Sequence, residues 1–192
     1  MAYRGRQSSN LILFLIGLNI VVLIFTSLSG NIFNHLALQP ASFSEQPWTI
    51  LTSMFVHDNF LADPWHIIFN MLTLYFFGTF LLGLVGEGKL LIIYFGGGIL
   101  GNALFMLLAP SYSVVIGASG AIFSLGGALA ILSPRVQVMV FPIPVPIPLW
   151  AAVIGGFLIV SFLPGVAWQA HLGGIIFGLV AGYIIRRRGR YF

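Results

Sequence analysis

Six long stretches of the chain are apolar and almost free of charged residues, and more polar segments separate them. Each stretch has close to the length of about 20 residues that an α-helix needs to cross a bilayer. Strands of a membrane β-barrel would instead alternate apolar and polar side chains over about ten positions. The pattern therefore predicts an all-α bundle of six transmembrane helices, at about 11–28, 65–83, 89–108, 117–133, 148–164 and 169–185.

The composition supports an integral, multi-pass membrane protein surrounded by the lipid bilayer. Of the 192 residues, 59% are hydrophobic and only 6% are charged, whereas soluble domains carry roughly 25% charged residues. We expect one membrane domain over 11–186, with a short cytoplasmic tail at 1–10 and a basic cytoplasmic tail at 187–192. No clear cleavage site follows the first apolar run, so this run is interpreted as a retained helix rather than a signal peptide.

The basic residues predict the orientation of the bundle. With six spans, all eight lysine and arginine residues fall on one side of the membrane, and this side is usually cytoplasmic. Both termini are therefore expected to be cytoplasmic. Because the basic residues lie at helix ends, the net charge of +4 indicates membrane anchoring and not a nucleic-acid partner. The chain has no cysteine, which excludes a disulfide, a thiol nucleophile and a thiolate metal site.

Two segments outside the spans have distinctive sequences. The longest loop, at about 29–64, is rich in aromatic residues and is expected to rest in the membrane interface. The segment Phe141–Pro148 has proline at every second position, which excludes a helix interior and predicts an extended segment that leads into the fifth helix.

Four polar residues within the predicted spans are candidates for function, because polar side chains in a membrane are energetically costly. They are His66, Asn70, Ser119 and His171. The second, fourth and sixth helices all begin on the outer side, and each candidate lies in the first turns of its helix. At 1.5 Å per residue, the four lie within roughly 10 Å of one another in depth. We expect them to share one site.

The four residue types fit nucleophilic catalysis. A serine hydroxyl is a weak nucleophile until a neighbouring base accepts its proton, and His171 is the candidate base for Ser119. Attack on an amide carbonyl creates an oxyanion that needs positioned donors. His66 and Asn70, one turn apart on one helix face, are candidate donors, as is the backbone N–H of Ser119 near a helix N-terminus. Such a site requires neither a metal nor a cofactor.

Small residues surround the candidate nucleophile. Gly117 and Gly120 leave space for a substrate backbone to approach Ser119. Phe123 lies one turn further along and is expected to pack against the imidazole ring of His171. Glycines also repeat every four residues after His171, and they predict a smooth helix face that packs closely on the fourth helix. These glycines are Gly174, Gly178 and Gly182.

Together these motifs resemble the rhomboid family of intramembrane serine proteases. The resemblance rests on Gly117-x-Ser119-Gly120, on Ala170-His171 followed by Gly174 and Gly178, and on His66-x-x-x-Asn70. It covers the six-helix core, although Phe123 stands where many members have tyrosine.

The resemblance implies a serine-type endopeptidase that cleaves single-pass transmembrane proteins near the outer face. Ser119 would be the nucleophile, His171 the general base, and His66 and Asn70 the oxyanion donors, with no acid, metal or cofactor. The core without additional domains suits a prokaryotic plasma membrane.

Two other functions remain open from the sequence. The first is a noncatalytic rhomboid-like protein that binds membrane clients, although relatives of that kind typically lack the serine or the histidine. The second is a small transporter with glycine-rich broken helices around polar residues, although the spans contain almost no acidic residues for ion coupling. The pair His66 and Asn70 could also simply fasten the first loop.

Overall fold

The structure, a computed structural model, describes residues 8–140 and 144–188 as a bundle of helices. Within these ranges the α-helices are α1 (Ser8–Leu28), α2 (Gly30–Leu36), α3 (Thr49–Thr52), α4 (Pro64–Val85), α5 (Glu87–Leu108), α6 (Ser119–Leu132), α7 (Leu149–Ser161) and α8 (Trp168–Arg188). Between α6 and α7, the two-residue strands β1 (Gln137–Val138) and β2 (Ile147–Pro148) pair in antiparallel fashion. This pair is a small addition to the predicted all-α fold.

Four helices of the described chain are long and apolar enough to cross a membrane, namely α1 from Asn10, α4, α5 and α8. The protein is therefore a polytopic membrane bundle, as predicted. Helices α6 and α7 have only 14 and 13 residues, or roughly 20 Å, which is less than the hydrocarbon thickness of about 30 Å. Their lengths do not confirm a count of six spans.

The approximate predicted ranges 117–133 and 148–164 extend about one to three residues beyond α6 and α7, because the residues at these ends cannot continue a helix. Gly117 takes a φ of 106°, so α6 begins only at Ser119. Helix α7 ends at Ser161, shortly before Pro164 and Gly165, where the φ of 78° reverses the chain. Positive φ is incompatible with a right-handed helix.

Helix α6 is the central helix of the bundle. Eleven of its 14 residues are buried, because α5 and α8 pack against it on two sides and α4 and α7 on others. A helix that is apolar on all faces is expected in such a position. Protein rather than lipid therefore surrounds the helix that begins with Ser119.

Glycines allow α8 to approach α6 closely. Gly174 faces the carbonyl oxygen of Gly120, and Gly178 faces the carbonyl oxygen of Ser124. A Cβ at Gly182 would lie 2.9 Å from the Ala128 oxygen. The predicted packing of this glycine series on the fourth helix is confirmed. The close approach brings the first turn of α8 beside the first turn of α6.

We expect Gly178→Ala to lower the midpoint of thermal unfolding in detergent. The new Cβ would collide with the Ser124 carbonyl, and overpacking of this kind typically costs about 1–3 kcal/mol. The matched control is Gly155→Ala in α7, where, apart from the chain neighbours and the backbone of the same helix, no described atom lies within 4 Å of the added Cβ. There, alanine is expected to stabilise the helix by about 0.5–1 kcal/mol. Equal effects of the two substitutions would contradict the assigned packing.

The segment between α1 and α4 is ordered and fastened to the bundle. Besides α2 and α3, it contains 3₁₀ turns at Pro40–Ser42 and Ser53–Phe55. The side chain of Asn102, on α5, donates hydrogen bonds to the Ile50 carbonyl (2.8 Å) and to the Ser53 hydroxyl (2.9 Å). These bonds hold the segment against α5.

Exposed aromatic residues lie on this segment and at the start of α4, which is compatible with the predicted interfacial position. Trp48, Phe60 and Trp65 are exposed. Phe55, by contrast, is buried in the core. Trp48, Phe60 and Trp65 are therefore available to an interface.

The proline-rich segment is extended at its end, as predicted, whereas Pro144 and Val145 lie in a bend. Ile147 and Pro148 pair with Val138 and Gln137, and Pro148 has an extended ψ of 141° immediately before α7. Residues 141–143 lie outside the described residues. The same holds for residues 1–7 of the predicted N-terminal tail and for residues 189–192 of the C-terminal tail.

Candidate active site

Ser119 and His171 form a hydrogen-bonded pair at the junction of α6 and α8. The Nε2 atom of His171 lies 2.8 Å from the Oγ of Ser119, although the two residues are 52 positions apart in the chain. The His171 side chain is buried, with 3% of its surface exposed. When His171 carries its proton on Nδ1, Nε2 accepts from the serine hydroxyl. This is the arrangement that activates a serine nucleophile.

Two side chains fix the His171 ring from the other sides. The Nδ1 atom lies 3.1 Å from the Oγ of buried Ser161, the last residue of α7. An Nδ1–H that donates to this oxygen leaves Nε2 free to accept. The ring of Phe123 packs on the imidazole at a centroid distance of 4.6 Å, as predicted. The ring is therefore held in a position that suits a general base.

Helix α4 delivers His66 to the same site. The helix begins sharply because the carboxylate of Asp63 accepts a hydrogen bond from the backbone N–H of Trp65 (3.0 Å), and because Pro64 occupies the first helical position. His66 follows at once, in the first turn. This start fixes the height of His66 in the bundle.

The missing side chain of Gly117 leaves a space between His66 and Ser119. A Cβ on Gly117 would lie 2.7 Å from Nε2 of His66 and 3.8 Å from Oγ of Ser119. The backbone N–H of Gly117 is already bonded to the Ser53 carbonyl (2.9 Å), which holds the turn in place. A carbonyl oxygen in this space would be close to both the nucleophile and a ring nitrogen, as an oxyanion site requires.

Asn70 is buried one turn below His66 and contacts its backbone. Its Nδ2 donates to the His66 carbonyl (2.7 Å), whereas its Oδ1 has no hydrogen-bond partner within the described chain. A flipped amide would place two oxygens against each other, so the orientation is well determined. One Nδ2 proton remains available, because an amide nitrogen carries two donors. The structure thus places Asn70 beside His66, as predicted.

A carboxylate that the sequence did not point to binds His66 from the loop side. The Oδ2 of Asp58 lies 2.6 Å from the Nδ1 of His66. This hydrogen bond lowers the pKa of the Asp58 carboxyl, which therefore stays ionised. The His66 ring is thereby oriented with Nε2 toward the space at Gly117.

His57 is a neutral neighbour of this pair. Its Nδ1 donates to the Phe55 carbonyl (3.3 Å), and its ring lies 5.0 Å from the His66 ring. Burial, together with the nearby His66, lowers the pKa of His57 to about 3. In residues 8–140 and 144–188, these and the other His, Asp and Glu side chains form no group of three or more that could hold a metal ion.

The residues of the candidate site lie within a stretch that matches a known protein family. A family model described as the Rhomboid domain matches residues 44–188, a stretch that contains the whole site. The chain belongs to the rhomboid family. Its helical membrane bundle and the positions of its motifs agree with this membership.

Three curated relatives illustrate the likeness. Rhomboid protein 1, mitochondrial, of Saccharomyces cerevisiae is 30% identical to this rhomboid, and the match covers 96% of this chain and 56% of the yeast protein. The putative rhomboid protease YdcA of Bacillus subtilis is 35% identical over 42% of this chain and 38% of its own length. The rhomboid protease GluP of the same species is 29% identical over 70% and 25%, respectively. The chain thus spans about half, or less, of the length of these relatives.

Two polar residues of this rhomboid site lie outside the family motifs. Ser161 is a single serine at the end of an apolar run, and only its position at the end of the fifth predicted helix could have pointed to it. Asp58 directly follows His57 in the loop and carries no local sign of a partner eight residues later. The hydrogen-bond partner of His171 Nδ1 is the Oγ of Ser161.

For catalysis by a Ser119–His171 pair, we expect Ser161→Ala to lower kcat by about tenfold to a hundredfold, with little change in KM. Without the Ser161 hydroxyl, the His171 ring can rotate away from Ser119, and a misplacement of about 1 Å can cost a hundredfold in rate. Ser161→Thr keeps the hydroxyl and is expected to retain most of the activity. Steady-state kinetics on a membrane substrate measures both. A loss that appears only in KM would contradict this role.

Proposed function

We propose that this rhomboid is an intramembrane serine endopeptidase in which Ser119 is the nucleophile and His171 the general base. The distance of 2.8 Å between Nε2 of His171 and Oγ of Ser119 carries the proposal. A base and a hydroxyl within this distance are the signature of an activated nucleophile. Two of the relatives are named as rhomboid proteases, one of them putative.

The geometry supports the following reaction. As Oγ of Ser119 attacks the amide carbon, its proton moves to Nε2 of His171, and the carbonyl electrons move to the oxygen. This oxyanion enters the space at Gly117, where Nε2–H of His66 and the backbone N–H of Ser119 can donate to it. The His171 imidazolium then protonates the leaving nitrogen, and the C–N bond breaks. A water molecule, deprotonated by His171, repeats the attack on the acyl-enzyme and releases Ser119.

The proposed substrates are single-pass transmembrane proteins, which are cleaved near the outer face of the membrane. The proposed topology has six spans, including α6 and α7, with the site near the outer face. The distribution of charge supports this orientation. Lys89 at the start of α5 and Arg188 at the end of α8 line one groove of about 420 Å³, so these basic residues share one end of the bundle. Ser119 begins α6 at the opposite end, while Arg186 contacts the Ile131 carbonyl near the end of α6.

Under the positive-inside rule, the basic end is cytoplasmic and both termini lie there. A cysteine introduced at Leu61, which is 93% exposed, should react with a membrane-impermeant maleimide added from outside. The chain has no cysteine of its own, so no other thiol can react with the reagent. Protection of the introduced cysteine would contradict the orientation.

We propose a prokaryotic plasma membrane as the location, supported by the likeness to the Bacillus subtilis proteases, although the yeast relative is mitochondrial.

The proposed activity is tested by incubating the purified protein in liposomes with a panel of single-pass test substrates. Mass spectrometry of the products identifies the new termini. We expect cleavage at one position or a few positions in the outer third of the transmembrane segment or directly beside it. If substrates stay intact but remain bound to the protein, the noncatalytic client-binding function replaces the proposed one.

A further inference from the structure

The hydrogen bond between Asp58 and His66 determines which ring nitrogen of the proposed oxyanion donor carries a proton. The Nδ1 of His66 lies 2.6 Å from the Oδ2 of Asp58, and the two side chains are 20% and 49% exposed, respectively. The hydrogen bond between them lowers the pKa of the Asp58 carboxyl, so that its oxygen is an acceptor. The proton of this bond therefore belongs to Nδ1 of His66.

A neutral His66 could not fulfil the donor role in this arrangement. With one proton, held on Nδ1 by Asp58, Nε2 has a lone pair and can only accept a hydrogen bond. Nε2 is the atom that faces the space at Gly117. An oxyanion there would meet a lone pair and be repelled. His66 can donate from Nε2 while it remains bonded to Asp58 only if both ring nitrogens are protonated.

The groups around His66 are compatible with one positive charge on its ring. From the loop, Asp58 contributes a negative charge, while His57 is neutral because burial lowers its pKa to about 3. From α6 comes the uncharged hydroxyl of Ser119, and from α8 comes His171, the base of the proposed dyad. Asp58 is therefore the charged partner of His66 at this position, and an opposite charge in direct contact stabilises an imidazolium.

We propose that Asp58 is a positioning residue that keeps His66 doubly protonated, so that a charged N–H meets the oxyanion during cleavage. This proposal rests on the proposed proteolytic function and extends it to the regulation of the same site by pH. Charge-assisted hydrogen bonds are roughly twice as strong as neutral ones. Loss of the second proton from His66 removes the donor, and cleavage slows.

The kinetic test compares Asp58→Asn with the matched control Asp63→Asn. Asp63 is an exposed carboxylate in the same loop that caps α4 through the Trp65 N–H. The amide oxygen of Asn can accept the same hydrogen bond, so Asp63→Asn removes one negative charge and keeps the helix start that positions His66. For Asp58→Asn we expect kcat to fall about tenfold at neutral pH with KM little changed, and the loss to grow as the pH rises. Asp58→Glu should restore part of the rate. The Asp63 variant should follow the wild-type pH profile, and identical profiles for all variants would overturn the proposal.

A second measurement does not depend on activity. In protein labelled with ¹⁵N at histidine, the ring shifts of Nδ1 and Nε2 report protonation, and comparison with His66→Gln assigns the signal of His66. We expect both nitrogens to be protonated in the wild type at neutral pH, and the second proton to leave at a lower pH in Asp58→Asn than in Asp63→Asn. A singly protonated wild-type His66 at the pH of maximal cleavage would overturn the proposal. If the protein cleaves nothing, this titration still decides the state of the pair, while the proteolytic function fails separately.

Discussion

Ser119→Ala is expected to abolish cleavage of membrane substrates, with a loss of at least about 10⁴-fold in kcat. The substitution removes the oxygen that forms the bond to the substrate and leaves the central helix otherwise intact, since Ser119 is only its first residue. Rate measurements with a fluorogenic transmembrane peptide have the range to detect such a loss.

His171→Ala should be about as damaging as Ser119→Ala, and the double variant should be little worse than either. Residues that act as one unit give strongly non-additive losses, and the bond between Nε2 and Oγ makes these two such a unit. Ser124→Ala, on the same helix, is the matched control because its hydroxyl bonds only the Ile93 carbonyl (2.8 Å) among the described residues. Fully additive losses, or an equal loss in the Ser124 variant, would contradict the dyad.

Gly117→Ala is expected to reduce kcat by about 10²-fold to 10³-fold, the loss typical of a disrupted oxyanion site. The added Cβ would lie 2.7 Å from Nε2 of His66 and fill the space assigned to the oxyanion. The φ of 106° at this position adds backbone strain, because L side chains rarely adopt it. Kinetics of the detergent-purified variant measures the loss.

The control variant Gly86→Ala separates the effect of backbone strain from the effect of filling the space at Gly117. Gly86 has a comparable φ of 81°, but apart from its chain neighbours no described atom lies within 4 Å of an added Cβ. The residue lies at the other end of α4. This variant should lose some stability, about 1–2 kcal/mol, and keep most of its activity. If both alanine variants lose stability and activity alike, the space at Gly117 has no special role in catalysis.

The long helices could be predicted from the sequence because their apolar runs are set by local composition. The six predicted spans begin and end within about three residues of the corresponding helices. The ends of α6 and α7 could not be refined further from hydrophobicity, because Gly117, Pro164 and Gly165 end the helices while the apolar runs continue. Backbone geometry overrides composition there.

The site residues that lie at the starts of helices could be predicted from the sequence. Ser119, His171 and His66 lie in the first turns of α6, α8 and α4, so their common depth followed from the spans. Their hydrogen-bond partners were not predictable. Ser161 reaches His171 only because α7 ends beside α8, and Asp58 reaches His66 only because the loop folds back over α4. Such contacts depend on tertiary packing, which the local sequence does not record.

The most direct test of the proposed catalytic dyad is whether Ser119 is chemically activated. A fluorophosphonate probe reacts with an activated serine by forming an O–P bond and releasing fluoride, and peptide mapping by mass spectrometry locates the adduct. We predict that the folded wild-type protein carries the adduct on Ser119 and that His171→Ala does not. An unlabelled Ser119 in folded wild-type protein, or equal labelling in the absence of His171, would contradict the catalytic dyad.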